Sequence, residues 1–463
     1  MNNLNPEKLI KVKINTLGYC SEGIGKVIDG KYEGLTAFIN NTTEGDLVEA
    51  AIISYKKTYV KARLIKIIEE GSTRIKPKCP IANICGGCQW QHIDYEYQLK
   101  SKERVIKDNI NKIANIDDVI IKPTLPSPCL WNFRAKVQLP LDITKNSKRL
   151  LVGYYEYKSH DIVNMKYCPV QPKEFDNIIS DLRELHKQYN LKIYSETLSK
   201  GYLRHFIIRK SFYTNELLIT FVVNSNNIDP DLVNLSKQLK KRHSQIAGIT
   251  ANFNTLKTNV ILGDNYETIL GNPYIIEKIG DKLYQISDKS FFQVNPEATK
   301  VMFNEIYSII QQTNAHQKLL DIYAGVGAIS IYVSDLFDKI IAIENEASCY
   351  SNFLKSVEIN NIHNIDFLTM SASQALKEIS NIQEFDFIIL DPPRCGCKED
   401  VLNICSKIKS GNLIYISCNP ATLARDIKIL CANGFDLKYI QPLDMFCHTY
   451  HIESISLLTK NEY

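Results

Sequence analysis

Short runs of alternating apolar and polar residues, broken by glycine and acidic turn residues, occupy the first 70 residues of the chain. The runs are Ile10–Ile14, Gly25–Ile28, Leu35–Ile39, Leu47–Ser54 and Val60–Ile67. Alternation over four to eight residues is typical of half-buried strands. Five such strands in so short a segment predict a small OB-like barrel over residues 1–70, although spacing alone does not separate it from other small β domains.

The pattern is mixed in the middle of the chain. A charged, helical stretch runs from Tyr95 to Lys112, and residues 297–312 also have helical periodicity. Between them lie strand-like runs at Phe133–Leu139, Leu150–Tyr155, Leu203–Ile208 and Leu217–Val223. We therefore expect an α+β central domain over residues 71–290.

From Lys318 onward, short apolar runs alternate with helical stretches. The runs are Leu319–Tyr323, Lys339–Ile343, Ile365–Met370, Phe385–Leu390 and Asn412–Ser417. This rhythm predicts a parallel, doubly wound α/β sheet in a third domain over residues 291–463. Ligands of such sheets bind at the carboxyl ends of the strands, so residues that follow these runs are the candidates for chemistry.

Composition limits the class of protein. The 463 residues are 44% hydrophobic and 23% charged, as in globular proteins, and no apolar run is long enough to cross a membrane. Met1–Pro6 lacks the charged and apolar regions of a signal peptide, so we expect a cytoplasmic protein. Thirteen cysteines in such a chain favour reduced thiols, metal binding or catalysis over disulfides.

Charge adds a local hint of nucleic acid. The net charge of +4 is too small to imply it, but residues 56–105 hold 11 Lys or Arg against 5 Asp or Glu. Such a basic segment is equally compatible with RNA binding and with an ordinary solvated surface.

A glycine turn follows the first strand of the predicted sheet. Gly325 and Gly327 let the backbone approach a ligand and expose helix amides to it. Glu344 ends the next strand, where a carboxylate can hold both ribose hydroxyls of a nucleoside. The third glycine typical of dinucleotide sites is absent, which favours a methyl donor over a nicotinamide.

The fourth and fifth strands end in a candidate reaction centre. Asp391-Pro392-Pro393-Arg394 forms an extended turn of the kind found in methyltransferases, and Cys418 follows the neighbouring strand. A thiolate that adds to carbon 6 of a uracil makes carbon 5 nucleophilic enough to take a methyl group. Cys395 and Cys397 are rival thiols, ranked below Cys418.

Cys79, Cys85 and Cys88 form a tight cluster around two glycines. They need a fourth partner to complete a metal site. His92 would complete a zinc site, whereas Cys168 or Cys129 would give an all-cysteine site for zinc or an iron–sulfur cluster. Spacing alone leaves these alternatives open.

Together the motifs resemble the bacterial RNA uracil-5-methyltransferases, most closely the iron–sulfur-containing 23S ribosomal RNA branch, over nearly the full chain. They are Cys79–Cys88 with Gln91-His92, Phe291–Asn295, Asp321–Gly327, Asp391–Arg394, Ser417–Asp426 and His448–Glu453. The resemblance implies a Rossmann-like class I methyltransferase domain that uses S-adenosylmethionine. It also implies that the N-terminal barrel is of the RNA-binding TRAM type.

The resemblance assigns roles to residues. Cys418 is the nucleophile, and Glu453 is the base that removes the carbon 5 proton. The donor and uracil site is lined by Gln293, Tyr323, Gly325, Gly327, Glu344 and Asp391. A 4Fe–4S cluster is held by Cys79, Cys85, Cys88 and Cys168, with zinc as the less favoured metal.

This sequence departs from the family pattern at Ala328, Cys395, Cys397 and Tyr450. None of these is the nucleophile or the base, so the departures bear on substrate details. We also expect contacts to RNA phosphates or bases from Arg134, Lys136, Arg204, His205 and Arg209.

The predicted partner is 23S ribosomal RNA with an unpaired or flipped-out uridine. No obligate protein partner and no membrane association are expected. One alternative is the same reaction on transfer RNA, whose enzymes usually lack the barrel and the cysteine cluster. The other is a non-catalytic RNA-binding or assembly protein, against which the intact Cys418 and Glu453 pair argues.

Overall fold

In the computed structural model, the described residues are 9–144, 147, 149–313, 317–379 and 384–460. The start of the chain, Met1–Pro6, lies outside them. No helix in these ranges is both long enough and apolar enough to span a bilayer. The chain folds into three parts, each built on its own β-sheet.

The first part is a closed five-stranded barrel, as predicted. Its strands are β1 (Leu9–Leu17), β2 (Gly23–Val27), β3 (Thr36–Ile39), β4 (Leu47–Lys56) and β5 (Tyr59–Glu69). They close in the order β1-β2-β3-β5-β4, with β3 and β5 parallel and the other pairs antiparallel. Alternate residues such as Val12, Ile14 and Val48 fill the interior, so the period-two pattern of the sequence is the pattern of burial.

The second part is a six-stranded sheet in the order β11-β10-β9-β8-β6-β7. Its strands are β6 (Lys136–Ile143), β7 (Leu150–Val152), β8 (Leu203–Lys210), β9 (Leu217–Val223), β10 (Ile246–Phe253) and β11 (Asn265–Gly271). Helices α2 (Lys173–Leu185) and α3 (Pro230–Arg242) pack on this sheet, and the hairpin β12 (Tyr274–Ile279) and β13 (Lys282–Ser287) follows it.

The predicted strand Phe133–Leu139 is shifted towards the carboxyl end in the structure. Phe133–Ala135 stays outside the sheet because the Arg134 and Ala135 amides donate to the carbonyls of Val170 and Val294 instead of to a strand. The helix predicted from Tyr95 to Lys112 is present as α1 (Tyr95–Asn109), extended by a π-helical turn at Ile110–Ala114.

The third part is a seven-stranded sheet in the order β16-β15-β14-β17-β18-β20-β19. Five strands are parallel and β20 runs antiparallel between β18 and β19. The strands are β14 (Lys318–Ile322), β15 (Lys339–Glu344), β16 (Ile365–Thr369), β17 (Phe385–Leu390), β18 (Ser410–Ser417), β19 (Phe435–Leu443) and β20 (Glu453–Lys460). The helices are α4 (Pro296–Gln311), α5 (Ala328–Tyr332), α6 (Ala347–Asn360), α7 (Ala372–Ile379), α8 (Glu399–Cys405) and α9 (Pro420–Ala432).

This arrangement confirms the predicted doubly wound α/β domain with an N-terminal barrel and a mixed central part. The strand order reverses between β14 and β17, which opens a crevice at their carboxyl ends. Buried side chains fill both faces of the parallel strands, for example Ile388 on one face and Phe387 on the other. The sheet is therefore a rigid base for whatever lies in the crevice.

Candidate active site

Cys418 and Glu453 lie side by side at the crevice, although 35 residues of chain separate them. Cys418 comes directly after β18, and Glu453 is the first residue of β20. The two strands are antiparallel neighbours with Ser417 opposite Ser454, and the Ser454 hydroxyl donates to the Ser417 carbonyl at 3.2 Å. The strand pairing therefore fixes the two side chains at the same end of the sheet.

The Cys418 thiol lies at the start of a helix. Asn419 caps α9 by accepting a hydrogen bond from the Ala421 amide at 3.1 Å, and Pro420 is the first helical residue. The thiol is half-buried, and burial raises its pKa to about 11. The Glu453 carboxyl raises this pKa as well, whereas the Arg394 guanidinium lowers it.

Three carboxyl groups crowd the same crevice. Glu453 is buried, and this burial raises its pKa well above the usual range, with a further increase from Asp391. Burial also raises the pKa of Asp391 to about 7, and the neighbouring Asp321 adds to this. Burial and the neighbouring carboxyl groups therefore both favour the protonated forms of Glu453 and Asp391.

Arg394 supplies the positive charge. It is exposed at the tip of the Pro-Pro turn, and it lowers the pKa of both Cys418 and Glu453. The turn is attached to α9, since the Arg394 carbonyl accepts hydrogen bonds from the Asn419 side-chain Nδ2 at 3.2 Å and from the Thr422 hydroxyl at 3.3 Å. The guanidinium is thus held beside the thiol and the acid.

The glycine turn between β14 and α5 has a strained, open backbone. Tyr323, Gly325 and Gly327 all have positive φ, at 69°, 58° and 73°. A Cβ at Gly327 would lie 2.7 Å from the Phe353 ring, whereas Gly325 faces open space. Glu344 accepts from the Gly325 amide at 2.9 Å and from the Glu346 amide at 2.8 Å. The predicted carboxylate therefore borders the turn, and its remaining lone pairs can still accept ribose hydroxyls.

The remaining predicted donor-site residues are held differently. The Tyr323 hydroxyl hydrogen-bonds to the Cys397 thiol beneath the Pro-Pro turn. Gln293 is half-buried in the segment that leads into α4, where Asn295 caps the helix and donates to Ser127 and to the Met445 carbonyl. Their predicted contacts with a methyl donor stay predictions.

The rival thiols do not occupy the crevice position. Cys397 is buried beneath Tyr323, and its amide donates to Asp426 at 2.8 Å. Cys395 is exposed on the turn, and its carbonyl accepts from Arg425 at 3.0 Å. Cys418 is the thiol that shares its surroundings with Glu453, Asp391 and Arg394.

Four cysteines come together in the central part. Cys79, Cys85, Cys88 and Cys168 line one small, mostly apolar pocket, with Arg134 and Tyr154 in its wall. Burial raises the pKa of all four thiols. In the conformation described, no three Cys, His, Asp or Glu side chains of the described ranges are grouped as a formed metal site. The donor set fits a thiolate-ligated metal in kind and in shared location.

The other candidate ligands lie elsewhere. His92 is buried, with its Nε2 atom 3.2 Å from the Thr42 carbonyl, and burial lowers its pKa to about 4. Cys129 is exposed, and neither residue lines the cysteine pocket. Of the three candidates for the fourth partner, Cys168 is the one that lines the pocket, and its role as a metal ligand stays a prediction.

The prediction that side chains of β8 contact RNA is wrong. Arg204, His205 and Arg209 are buried because β8 is an interior strand of the central sheet. Arg204 donates to the Asn254 and Leu256 carbonyls, and Arg209 donates to the Ser290 carbonyl. Arg134 and Lys136 are half-buried, the first beside the cysteine pocket. These side chains therefore make contacts inside the central part and do not form an exposed basic surface.

Tyr19 is the site residue that sequence reasoning missed. It belongs to the loop between β1 and β2 of the barrel, yet its hydroxyl donates to Asn419 Oδ1 at 3.4 Å. Its ring packs against the core of the third part and beside Tyr450. No sequence pattern links these residues, which lie at opposite ends of the chain.

The sequence was compared with protein-family models and with known proteins, and both comparisons find RNA methyltransferases. The model of the tRNA (uracil-5-)-methyltransferase family matches residues 95–461. An uncharacterized RNA methyltransferase of Bacillus cereus is 33% identical over 97% of this chain and 97% of its own length. Another, from Clostridium tetani, is 34% identical over 96% of this chain and 95% of its own.

One solved structure is similar over almost the whole chain. It is the Pyrococcus abyssi tRNA (uracil-54, C5)-methyltransferase in complex with S-adenosyl-L-homocysteine, with a TM-score of 0.76 and 26% identity. The alignment covers 97% of this chain and 100% of that one, so it extends through the barrel. We expected transfer RNA enzymes usually to lack the barrel, and the Pyrococcus abyssi enzyme is an exception to that expectation.

Proposed function

The chain belongs to the RNA uracil-5-methyltransferase family, and from that premise we propose that it methylates carbon 5 of an unpaired uridine in 23S ribosomal RNA. It is an S-adenosylmethionine-dependent RNA methyltransferase. The observation that carries the proposal is the pairing of β18 with β20, which ends at Ser417 opposite Ser454 and so brings Cys418 and Glu453 to the same end of the sheet. A nucleophile and a base held at the same end of two paired strands suit a reaction that uses first the nucleophile and then the base.

Cys418 begins the reaction. Its thiolate adds to carbon 6 of the uracil, which moves the electron pair of the ring double bond onto carbon 5 and its conjugated carbonyl. Carbon 5 then takes the methyl group of the donor, whose bond to sulfur breaks so that the demethylated donor leaves with the electron pair. The ring then carries both a methyl group and a proton on carbon 5. Arg394 lowers the pKa of the thiol and so favours the reactive thiolate.

Glu453 completes the methylation reaction. Its carboxylate removes the carbon 5 proton, the ring double bond re-forms, and the Cys418 thiolate leaves carbon 6. The raised pKa of Glu453 makes it a better proton acceptor than an exposed carboxylate. Burial and the neighbouring Asp321 raise the pKa of Asp391 in the same crevice to about 7.

The glycine turn and Glu344 are the proposed binding site for S-adenosylmethionine, together with Gln293, Tyr323 and Asp391. When bound there, S-adenosylmethionine supplies an electrophilic methyl group. The open space beside Gly325 and the carboxylate of Glu344 at the turn support this assignment. The positive φ at Gly325 and Gly327 explains why glycine is required at both positions.

Cys79, Cys85, Cys88 and Cys168 are the proposed ligands of a 4Fe–4S cluster, with zinc as the alternative. Their convergence on one pocket supports a shared metal. The methylation steps move no single electrons, so the role of this group is to fix the loop between the barrel and the central sheet. Arg134 in the pocket wall would offset part of the negative charge of four thiolates.

The barrel supplies the proposed RNA surface. Lys56, Lys57, Lys61, Arg63 and Lys66 are all exposed on β4 and β5 or the turn between them. A row of cations on a barrel of this kind attracts the phosphate backbone. The basic residues that the barrel contributes to the local excess are therefore on its surface, in keeping with a TRAM-type role.

A second candidate substrate is transfer RNA. The similarity to the Pyrococcus abyssi enzyme over the whole chain favours it, because barrel and catalytic domain are both shared. The 23S ribosomal RNA proposal is supported instead by the sequence motifs, including the cysteine cluster. The chemistry at Cys418 is the same in both cases.

Covalent trapping tests the proposed reaction. RNA transcribed with 5-fluorouridine should form a denaturation-resistant adduct with the wild-type protein when S-adenosylmethionine is present, since fluorine cannot leave as a proton. Cys418→Ser and Cys418→Ala should form none, whereas Cys395→Ala should react like the wild type. An adduct that persists in Cys418→Ala would refute the assignment of the nucleophile.

A further inference from the structure

We propose that the mouth of the crevice contains a base-stacking subsite, built jointly by the barrel and the catalytic domain, that binds the unpaired nucleobase next to the target uridine. Tyr19 is its principal ring. This inference rests on the proposed RNA methylation and specifies how that site holds its substrate.

Three rings from two parts of the chain meet at this mouth. Tyr19, from the loop between β1 and β2, meets Tyr450 edge-on, with ring centroids 6.1 Å apart and planes at 76°. The Tyr450 ring lies 4.4 Å from the His451 ring, tilted by 38°. All three residues are half-buried, so part of each remains accessible from outside.

The rings are close to the reacting groups. The Tyr19 hydroxyl donates to Asn419, the residue after the nucleophile. Tyr450 and His451 come just before Glu453 in the chain. Tyr19 is also near enough to Cys418 and Arg394 for their charges to affect its ionisation, and burial raises its pKa to about 12, so the phenol is neutral. A base stacked on these rings would be a neighbour of a uracil bound over Cys418.

The loop that carries Tyr19 is fixed from several sides. Its ends are closed by a hydrogen bond from the Gly18 amide to the Glu22 carbonyl at 2.8 Å. From the central part, the Tyr157 hydroxyl donates to the Cys20 carbonyl at 3.2 Å, and Lys158 pairs with Glu22 at 3.2 Å. A turn at a barrel rim is usually mobile, so these anchors indicate a loop held in position for a purpose.

The positive charges around the three rings favour RNA as the ligand of this subsite. Arg394 and Lys158 are exposed, and both are near enough to Tyr450 to offset part of the increase that burial causes in its pKa. Aromatic rings beside cations are the usual combination for single-stranded RNA, where the rings stack on bases and the cations attract phosphates. The target uridine must leave its own stack to reach Cys418, which also frees its neighbour. An aromatic surface at this place replaces the lost stacking.

Substitutions at Tyr19 separate stacking from packing. In the full-length protein, Tyr19→Leu keeps apolar packing against the catalytic domain but removes the ring, whereas Tyr19→Phe keeps the ring and removes only the hydroxyl. Tyr213→Leu, at an exposed tyrosine of the central part, is the matched control. Methyl transfer is measured on total RNA from a strain lacking the gene, with KM for RNA and kcat determined separately, alongside the thermal midpoint.

We expect Tyr19→Leu to raise KM for RNA about 10-fold, the size of one lost base–aromatic stack, with kcat and the thermal midpoint nearly unchanged. Tyr19→Phe and Tyr213→Leu should stay within threefold of the wild type. Tyr450→Leu combined with Tyr19→Leu should cost less than the product of the two single effects, because both rings serve one subsite.

Equal losses in Tyr19→Leu and Tyr19→Phe would overturn the stacking role, since the hydroxyl contact to Asn419 would then be what matters. An unchanged KM in Tyr19→Leu would overturn it as well. If the wild type transfers no methyl group to any RNA in the pool, the proposed function itself fails, and this inference fails with it.

Discussion

The Cys418 thiol is surrounded by acidic side chains and by one guanidinium. Burial and Glu453 raise its pKa to about 11, so in the free protein it is mostly protonated at neutral pH. Arg394 acts in the opposite direction. Burial and the carboxyl group therefore favour the neutral thiol, whereas the guanidinium favours the thiolate that the reaction needs.

The role of Arg394 can be measured through the reactivity of this thiol. Alkylation of Cys418 by iodoacetamide should speed up as pH rises towards 11, because only the thiolate reacts. Arg394→Gln removes the charge that lowers the pKa, so its alkylation at pH 8 to 9 should be slower, by about threefold to tenfold. Arg394→Lys should be nearer the wild type. Peptide mass spectrometry follows the alkylation of Cys418, with the exposed Cys129 as the internal reference. Equal alkylation rates of Cys418 in the wild type and in both variants would contradict the electrostatic role of Arg394.

Glu453 should determine the second half of the reaction and not the first. In Glu453→Gln the carbon 5 proton stays on the ring, so a methylated covalent adduct should accumulate on ordinary uridine RNA. Turnover should fall by about 10²- to 10⁴-fold, the usual contribution of a general base. Gel electrophoresis under denaturing conditions detects the adduct, and the double variant with Cys418→Ala should form none. Loss of adduct formation in Glu453→Gln alone would assign Glu453 to an earlier step.

Residues that share a sequence motif were predictable, and residues joined only by the fold were not. Cys418 and Asp391 follow apolar runs whose carboxyl ends meet in a parallel sheet, so their proximity follows from the pattern. Glu453 carries no local signal and was identified only from the family resemblance. Tyr19 reaches Asn419 across 400 residues of sequence, which alternation and spacing cannot reveal.

At the scale of elements, helix α1 has a partner that its sequence did not indicate. Its buried residues Val105 and Ile106 belong to the core of the catalytic domain rather than to that of the central sheet. Lys102, fully buried on the same helix, pairs with Asp444 at 2.5 Å and lies over the Trp90 ring. The helix thereby fixes the segment that leads to Tyr450 and Glu453.

Breaking this buried pair should destabilise the protein strongly. Lys102→Met leaves Asp444 without its partner in an apolar site, so the free energy of unfolding should fall by about 3–5 kcal/mol. Lys409→Met, which removes an exposed pair with Glu384, should change it by less than about 1 kcal/mol. Urea denaturation compares the two variants. If Lys102→Met unfolds at the wild-type urea concentration, the pair does not hold α1 in place.

Strand positions were predicted well both in the half-exposed barrel and in buried strands such as β9, but the exposure of charged side chains was not. The barrel strands alternate in burial, so sequence and structure agree closely there. Every residue of β8 is buried, including its charged ones. Charged side chains in an apolar run therefore suggested a surface that does not exist, because their hydrogen-bond partners come from distant loops.

At the scale of the whole molecule, the cysteine pocket joins the loop that follows the barrel, Cys79–Cys88, to the central part at Cys168. Protein purified without oxygen should contain about four iron and four sulfide per chain if the proposed cluster is correct. Cys168→Ser should lower both and weaken RNA binding, while Cys129→Ser should leave the metal content unchanged. Zinc without sulfide would contradict the cluster and favour the alternative metal.

The barrel, the central part and the catalytic sheet all contribute to one crevice. The barrel adds Tyr19, the central part holds the loop of Tyr19 through Tyr157 and Lys158, and the sheet supplies Cys418 and Glu453. We therefore expect the isolated catalytic sheet to be a poor enzyme on RNA.

The most direct test of the account uses ribosomal and transfer RNA from a strain that lacks this gene. Each RNA is incubated with labelled S-adenosylmethionine and the wild type or Cys418→Ala, and 5-methyluridine is mapped by nuclease digestion and mass spectrometry. We predict label at a defined uridine of 23S ribosomal RNA with the wild type, and none with Cys418→Ala. Label in transfer RNA alone would keep the chemistry and contradict the proposed substrate, and label from Cys418→Ala would contradict the chemistry itself.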